Sequence, residues 1–103
     1  MNLQEFIKAT FKEQHGLCFR PRIVCNDGFS MSVQGSSGHY CTPRITQDSY
    51  SALEIGFPSD FEPLINDYAE SKDCIDTVFA YVPCELIQQV IDKHGGINAD
   101  LSK

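Results

Sequence analysis

Hydrophobic positions near the start of the chain recur every three to four residues, which is the pattern of an amphipathic helix. The apolar stripe consists of Leu3, Phe6, Ile7 and Phe11. Asn2 and Glu5 have the spacing of a capping box, in which each side chain accepts a hydrogen bond from the other residue's backbone amide. The pattern predicts a first helix over residues 3–14, which Gly16 ends.

Apolar and polar residues then alternate along two segments, 17–25 and 29–34, as they do in β-strands. The Asn-Asp-Gly sequence at 26–28 between them is a hairpin signal. A three-residue loop places Ile23 opposite Met31 and sorts apolar and polar side chains onto separate faces, whereas a two-residue loop mixes them. We therefore predict the three-residue loop, with its glycine in the left-handed conformation.

The second half of the chain alternates between strand and helix patterns. It predicts strands over 51–56 and 76–82 and helices over 60–70 and 83–94. The apolar stripes of these helices are Phe61, Leu64, Ile65 and Tyr68, then Leu86, Ile87, Val90 and Ile91. Ser59 and Glu62 have capping-box spacing before the first of them, and Gly95 with Gly96 predicts a Schellman end to the second.

This order of elements predicts one α+β domain over residues 1–97, followed by a flexible tail over 98–103. We expect two layers, a mixed or antiparallel sheet of four or five strands with about three helices packed mainly on one face. Residues 35–49 form a long excursion between strands, with a short strand near Tyr40. The uncovered sheet face and an edge strand favour a homo-oligomer.

Composition sets limits on partners and location. A formal net charge of −6 argues against general nucleic-acid binding. Residues 1–44 nevertheless carry five basic against three acidic side chains, so an anion site is expected there. No apolar run could cross a bilayer, and the first residues lack a secretory pattern, so we expect a cytoplasmic protein without a membrane partner.

The five cysteines have no disulfide or metal-binding pattern. They are Cys18, Cys25, Cys41, Cys74 and Cys84. Their odd number and the absence of any C-x-x-C pair favour free thiols in a reducing compartment.

The arginines are the sharpest candidate for ligand binding. Arg20 and Arg22 lie two residues apart on a predicted strand, which places them about 7 Å apart on one face. Two planar donor forks at that distance could hold one phosphate or carboxylate. The complete candidate set also includes an aromatic and an imidazole ring for stacking: Arg20, Arg22, Gln34, His39, Tyr40 and Arg44. The alternative interpretation is that these arginines form ordinary surface ion pairs with the acidic second half.

No motif indicates catalysis, a metal or a cofactor. Gly-Ser-Ser-Gly at 35–38 lacks the lysine of a phosphate-binding loop, and a lone His39-x-Cys41 pair is a weak metal or nucleophile signal. We therefore expect a non-enzymatic protein with no cofactor and no metal. A reaction that uses Cys41 remains a third possibility.

Three segments, 20–34, 39–44 and 81–97, resemble small proteins encoded by bacteriophages and prophages. The resemblance covers nearly the whole chain and implies a counter-defence role. Two kinds of counter-defence protein fit: those that sequester a nucleotide-derived immune signal, and those that inhibit a host nuclease or other effector.

Our leading hypothesis is an oligomeric protein that sequesters a small anionic nucleotide-like signal at the arginine site. The alternative is a protein–protein inhibitor, in the manner of an anti-CRISPR protein, whose acidic second half fills a basic groove on a host defence protein. The carboxylates that would do this crowd residues 60–76. An ordinary solvated acidic surface also explains that cluster.

Overall fold

A four-stranded antiparallel sheet forms one layer of the protein, in the spatial order β1-β2-β3-β4. The structure is a computed structural model that describes residues 1–103. The strands are β1 (Ile23–Val24), β2 (Ser30–Gln34), β3 (Ala52–Gly56) and β4 (Val78–Pro83).

Three helical elements form the second layer. They are α1 (Leu3–Ala9), a 3₁₀ helix (Pro63–Tyr68) and α2 (Cys84–Lys93). Their apolar side chains meet the inner face of the sheet in one core of 20 buried residues. This arrangement confirms the predicted α+β class, the four-stranded sheet and the approximate number of helices.

The capping box at the start of α1 is confirmed, but the predicted length of the helix is wrong. Asn2 Oδ1 accepts from the Glu5 amide, and the Glu5 carboxylate accepts from the Asn2 amide, both at 2.9 Å. The helix stops at Ala9 rather than at residue 14. A longer helix would need the Ile7 carbonyl for the Phe11 amide, but that carbonyl accepts instead from the guanidinium of Arg20.

The predicted hairpin register is confirmed. Ile23 pairs with Met31 and Val24 with Ser30. Gly28 has φ of 96°, which a residue with a side chain would adopt only at a cost. The predicted first strand is too long, however, because residues 17–22 make no ladder with β2.

The helix predicted over 60–70 is wrong in type and extent. A 3₁₀ helix forms over 63–68, and Glu62 rather than Ser59 caps it by accepting from the Leu64 amide. Ser59 instead accepts from the Ser30 amide. Pro63 at the first helical position can begin a helix but supplies no donor, and the short turn leaves Leu64 exposed rather than buried.

The predicted Schellman end of α2 is confirmed. The Gly96 amide donates to the Ile91 carbonyl at 2.9 Å, and the Gly95 amide donates to Asp92 at 3.1 Å. This pair of bonds defines the motif. Neither α2 nor any other helix has the length and apolar character needed to cross a membrane.

Residues 98–103 lie beside β1. The Asn98 amide donates to the Val24 carbonyl at 2.8 Å, and the buried Ser102 hydroxyl accepts from the Val24 amide at 2.8 Å. These bonds cover the edge of β1. The flexibility of the tail stays a prediction.

The excursion between β2 and β3 contains no strand near Tyr40, contrary to the prediction. Its only ladder contact is an isolated bridge between Thr42 and Ala52. The chain is held instead by single bonds to two strands. The Tyr40 amide donates to the Glu54 carboxylate at 3.1 Å, and the Tyr40 carbonyl accepts from the Tyr81 amide at 3.1 Å.

Candidate functional site

Arg20 points into the protein and not towards solvent. Only 5% of the residue is exposed. Its guanidinium donates to the carbonyls of Ile7, Gly35 and Gln47 at 2.9 to 3.3 Å. The cation therefore fastens the end of α1, the end of β2 and the excursion to one another, and these bonds engage both terminal nitrogens and Nε.

Gln34 holds the backbone of Arg20. Its side-chain oxygen accepts from the Arg20 amide and its side-chain nitrogen donates to the Arg20 carbonyl, each at 2.8 Å. Gln34 is itself buried. The side chains of Arg20 and Gln34 therefore make their hydrogen bonds inside the protein.

The structure does not bring Arg20 and Arg22 together. Arg22 is exposed and donates to the Ser30 hydroxyl at 3.1 Å and to the Phe57 carbonyl at 2.7 Å. The anchors of the two guanidinium groups, Ser30 and Gly35, lie at opposite ends of β2, a span of about 17 Å. The spacing argument assumed a strand over residues 20–22, where none forms.

His39 belongs to the excursion and is buried. Its Nδ1 lies 2.6 Å from the Ser36 hydroxyl oxygen, and the Phe19 ring meets its edge with centroids 5.2 Å apart. Burial lowers the pKa of His39, and the charges of Arg20 and Arg44 lower it further against the opposing effect of Glu54. A neutral imidazole that positions the loop fits these contacts.

Cys41 has the surroundings of a packed thiol. It is buried, and its single S–H can donate to the carbonyl of Ser36, 3.2 Å from Sγ, or to that of Pro43, 3.4 Å away. Burial raises the pKa of Cys41, which favours the protonated thiol over the nucleophilic thiolate.

Two of the candidate residues do meet at the surface, where a third side chain joins them. The guanidinium carbon of Arg44 lies 5.1 Å from the centroid of the Tyr40 ring. The centroids of the Tyr40 and Tyr81 rings lie 5.9 Å apart. We name Tyr40, Arg44 and Tyr81 the tyrosine–arginine patch. Arg44 is exposed and takes part in no ion pair or hydrogen bond, so its donors face solvent.

Tyr81 occupies a strained backbone position in this patch. Its φ of 54° lies in the left-handed region, which a bulky residue adopts at a cost of about 1–2 kcal/mol. The pairing of Leu53 with Val82 and of Ile55 with Phe79 places one extra residue in β4, so Tyr81 lies in a β-bulge. The bulge aims its amide at Tyr40 and leaves 45% of Tyr81 exposed.

Sequence reasoning missed Tyr81 and the partners of His94. The alternation of β4 carries no sign of a bulge, so nothing in the sequence marks Tyr81. The sequence places His94 at the end of the predicted helix over 83–94 and marks no partner for it, but in the structure its ring nitrogens lie 2.6 and 2.7 Å from carboxylate oxygens of Asp27 and Glu62. Both acids are distant in sequence, and no local pattern could have paired them with His94.

The two cavities of the protein lie away from the patch. A cavity of about 460 Å³ opens between the starts of α1 and α2, beside Cys84. A second, of about 300 Å³, lies between the hairpin turn and residues 59–60. No group of three or more His, Cys, Asp or Glu side chains is arranged to hold a metal ion. A ligand at the patch would therefore rest on a surface and not in a cleft.

We predict that Arg20→Ala lowers the free energy of unfolding by about 3 kcal/mol or more, because it leaves buried carbonyls without donors. Arg22→Ala is the matched control, since it removes an exposed arginine, and should cost less than about 1 kcal/mol. Urea denaturation measures both. Equal losses in the two variants would contradict the anchoring role of Arg20.

We predict that Tyr81→Gly is more stable than Tyr81→Ala by about 1 kcal/mol, although both lose the same ring. Glycine adopts the left-handed backbone freely and alanine does not. The comparison of the two unfolding curves isolates the strain at this position. An alanine variant as stable as the glycine variant would show that Tyr81 is unstrained.

No protein-family model, no curated protein sequence and no solved structure matches the chain. The resemblance to phage-encoded proteins therefore stays a prediction.

Proposed function

We propose that this is a non-enzymatic binding protein whose tyrosine–arginine patch captures a small anionic nucleotide-like ligand. The observation that carries the proposal is the state of Arg44. It is the one arginine of three with no hydrogen-bond acceptor, and its guanidinium is stacked on the ring of Tyr40. A guanidinium oriented in this way presents its donor fork without first losing another partner.

Tyr81 supplies the second half of the proposed contact. Tyr81 is 45% exposed, whereas Arg44 already lies over the ring of Tyr40. A base would therefore stack on Tyr81 while its phosphate meets Arg44. The bulge that holds Tyr81 in a strained conformation supports this role, since strain of this kind concentrates at binding sites.

One patch alone would bind such a ligand only weakly. Base stacking on an aromatic ring contributes about 1–3 kcal/mol, and hydrogen bonds to a charged group contribute about 1.5–3 kcal/mol. Their sum, about 2.5–6 kcal/mol, corresponds to a Kd between about 0.04 and 15 mM for one patch. Sequestration needs tighter binding, so we propose that two copies of the chain present their patches to one ligand.

In this proposal the protein acts in the cytoplasm of a bacterial host cell as a phage counter-defence factor. The ligand is then a nucleotide-derived immune signal. The resemblance of the sequence to phage-encoded proteins supports this context.

The alternative, an acidic inhibitor of a host defence protein, has one observation in its favour. Five carboxylates of the 3₁₀ helix and its flanks are exposed: Asp60, Asp67, Glu70, Asp73 and Asp76. Glu62 does not belong to this surface, since it is buried and paired with Lys93 and His94. Charge reversal at Asp67 and Glu70 should abolish capture of a host protein and leave nucleotide binding unchanged.

We predict that Arg44→Ala weakens binding of a nucleotide at least tenfold. The test uses isothermal titration with a panel of nucleoside monophosphates and cyclic dinucleotides, and native mass spectrometry of protein purified from phage-infected cells. A nucleotide-sized adduct on an oligomer of the unaltered protein, lost in Arg44→Ala, is the expected result.

Arg22→Ala is the control, because it removes the same charge from a surface arginine anchored near Phe57. Glu54→Gln should tighten binding of an anion, since it removes a negative charge that lies 3.1 Å from the Tyr40 amide and keeps an oxygen to accept from that amide. Equal loss of binding in Arg22→Ala and Arg44→Ala would overturn the patch as the site. A ligand-free protein that captures one host protein would favour the inhibitor.

A further inference from the structure

His94 joins three separate parts of the fold. It is the C-terminal cap of α2, and its two carboxylate partners come from the hairpin turn, Asp27, and from the residue before the 3₁₀ helix, Glu62. Phe29 stacks on the imidazole with ring centroids 4.1 Å apart and an angle of 12°. This cluster lies outside the tyrosine–arginine patch.

Both ring nitrogens are within hydrogen-bond distance of an acid, and while both acids are ionised only the imidazolium can donate to each of them. Nδ1 lies 2.6 Å from Asp27 Oδ2, and Nε2 lies 2.7 Å from Glu62 Oε1. A neutral imidazole has one N–H, so its other nitrogen would direct a lone pair at a carboxylate. The short distances on both sides therefore belong to the protonated form.

The two acids differ in their exposure to solvent and in the hydrogen-bond donors that they have besides His94. The Glu62 carboxylate is 1% exposed and also accepts from Lys93 Nζ at 3.0 Å and from the Leu64 amide at 2.9 Å. Asp27 is 50% exposed and accepts from the Phe29 amide. Water can replace an N–H at Asp27 but not at the buried Glu62. A neutral His94 would therefore keep its single ring proton on Nε2, where it donates to Glu62, and would lose the hydrogen bond to Asp27.

We propose that His94 is a pH-sensitive latch, closed when the imidazolium binds both acids and open at the hairpin turn when it loses a proton. The other charged groups around it are Lys93 on the same helix and Asp60, which lines the same 300 Å³ cavity as Asp27 and His94. Opening at Asp27 loosens the turn along one wall of this cavity.

The direction of the pH effect follows from the environment of His94. Burial lowers its pKa, but the hydrogen bonds and charges of Glu62 and Asp27 outweigh burial and raise the pKa above the ordinary 6.5. Because the pKa of His94 is higher in the folded state than in the unfolded state, protonation of His94 stabilises the fold. This stabilisation is complete below pH 6.5, and it is lost as the pH rises through the pKa of the folded state. The latch is thus closed in mildly acidic solution and opens as the pH rises.

The experiment is an NMR titration of the histidine rings in the full chain, from about pH 5 to about pH 9, around the ordinary histidine value. We expect His94 to titrate above 6.5 in the unaltered protein and at a lower pH in Asp27→Asn. Hydrogen exchange gives a second measurement, because the Asp27 amide donates to the His94 carbonyl. The protection factor of that amide should fall as His94 deprotonates.

Two variants separate the latch from general effects of pH. In His94→Gln the protection factor of the Asp27 amide, which reports on the hairpin turn alone, should lose its dependence on pH over this range. His15→Asn is the control, since His15 is exposed and asparagine tolerates its left-handed φ of 54°. If His94→Gln does not fold, Asp27→Asn still tests the latch, because Asp27 is half exposed. Two results would overturn the proposal: a His94 that titrates at or below 6.5, or a pH dependence of the Asp27 amide protection factor that persists in His94→Gln.

Discussion

The buried guanidinium of Arg20 is the constraint on which the rest of the structure depends. It has no carboxylate partner, and its charge is held by the carbonyl oxygens of α1, of the end of β2 and of the excursion. A movement of any of these segments would leave a buried cation or a buried carbonyl without a partner, which costs several kcal/mol. Arg20 also ends α1, since it takes the carbonyl that another helical turn would use.

Hydrogen bonds to Arg20 and to the sheet hold the excursion between β2 and β3 in place. Arg20 holds its two ends at Gly35 and Gln47, the bond between Ser36 and His39 fixes its interior, and Tyr40 is tied to β3 and β4 at its top. The backbone beneath the tyrosine–arginine patch is therefore held by hydrogen bonds at both ends of the excursion and at Tyr40. A bulge in β4 completes the patch by turning Tyr81 towards Tyr40. One arginine organises the interior, and another, Arg44, lies exposed beside Tyr40 without a hydrogen-bond partner.

Sequence predicted the features that neighbouring residues determine. The capping box at Asn2, the hairpin register around Gly28 and the Schellman end at Gly95 each depend on a few residues close in the chain. The direction of Arg20 could not be predicted, because its acceptors come from three distant segments. The same holds for the pairing of His94 with two distant acids and for the bulge at Tyr81, where strand alternation gives no signal. The sequence identified Tyr40 and Arg44 as candidate binding residues. It could not show that Arg20 and Arg22, which belonged to the same candidate set, lie outside the patch.

The most direct test of the central claim is a map of backbone amide chemical shifts during titration with the nucleotide panel. We predict that the largest changes fall on Tyr40, Arg44 and Tyr81 and that Arg22 and Phe57 do not respond. Changes centred on residues 60–76, or on Arg22, or no changes with any member of the panel, would contradict the account.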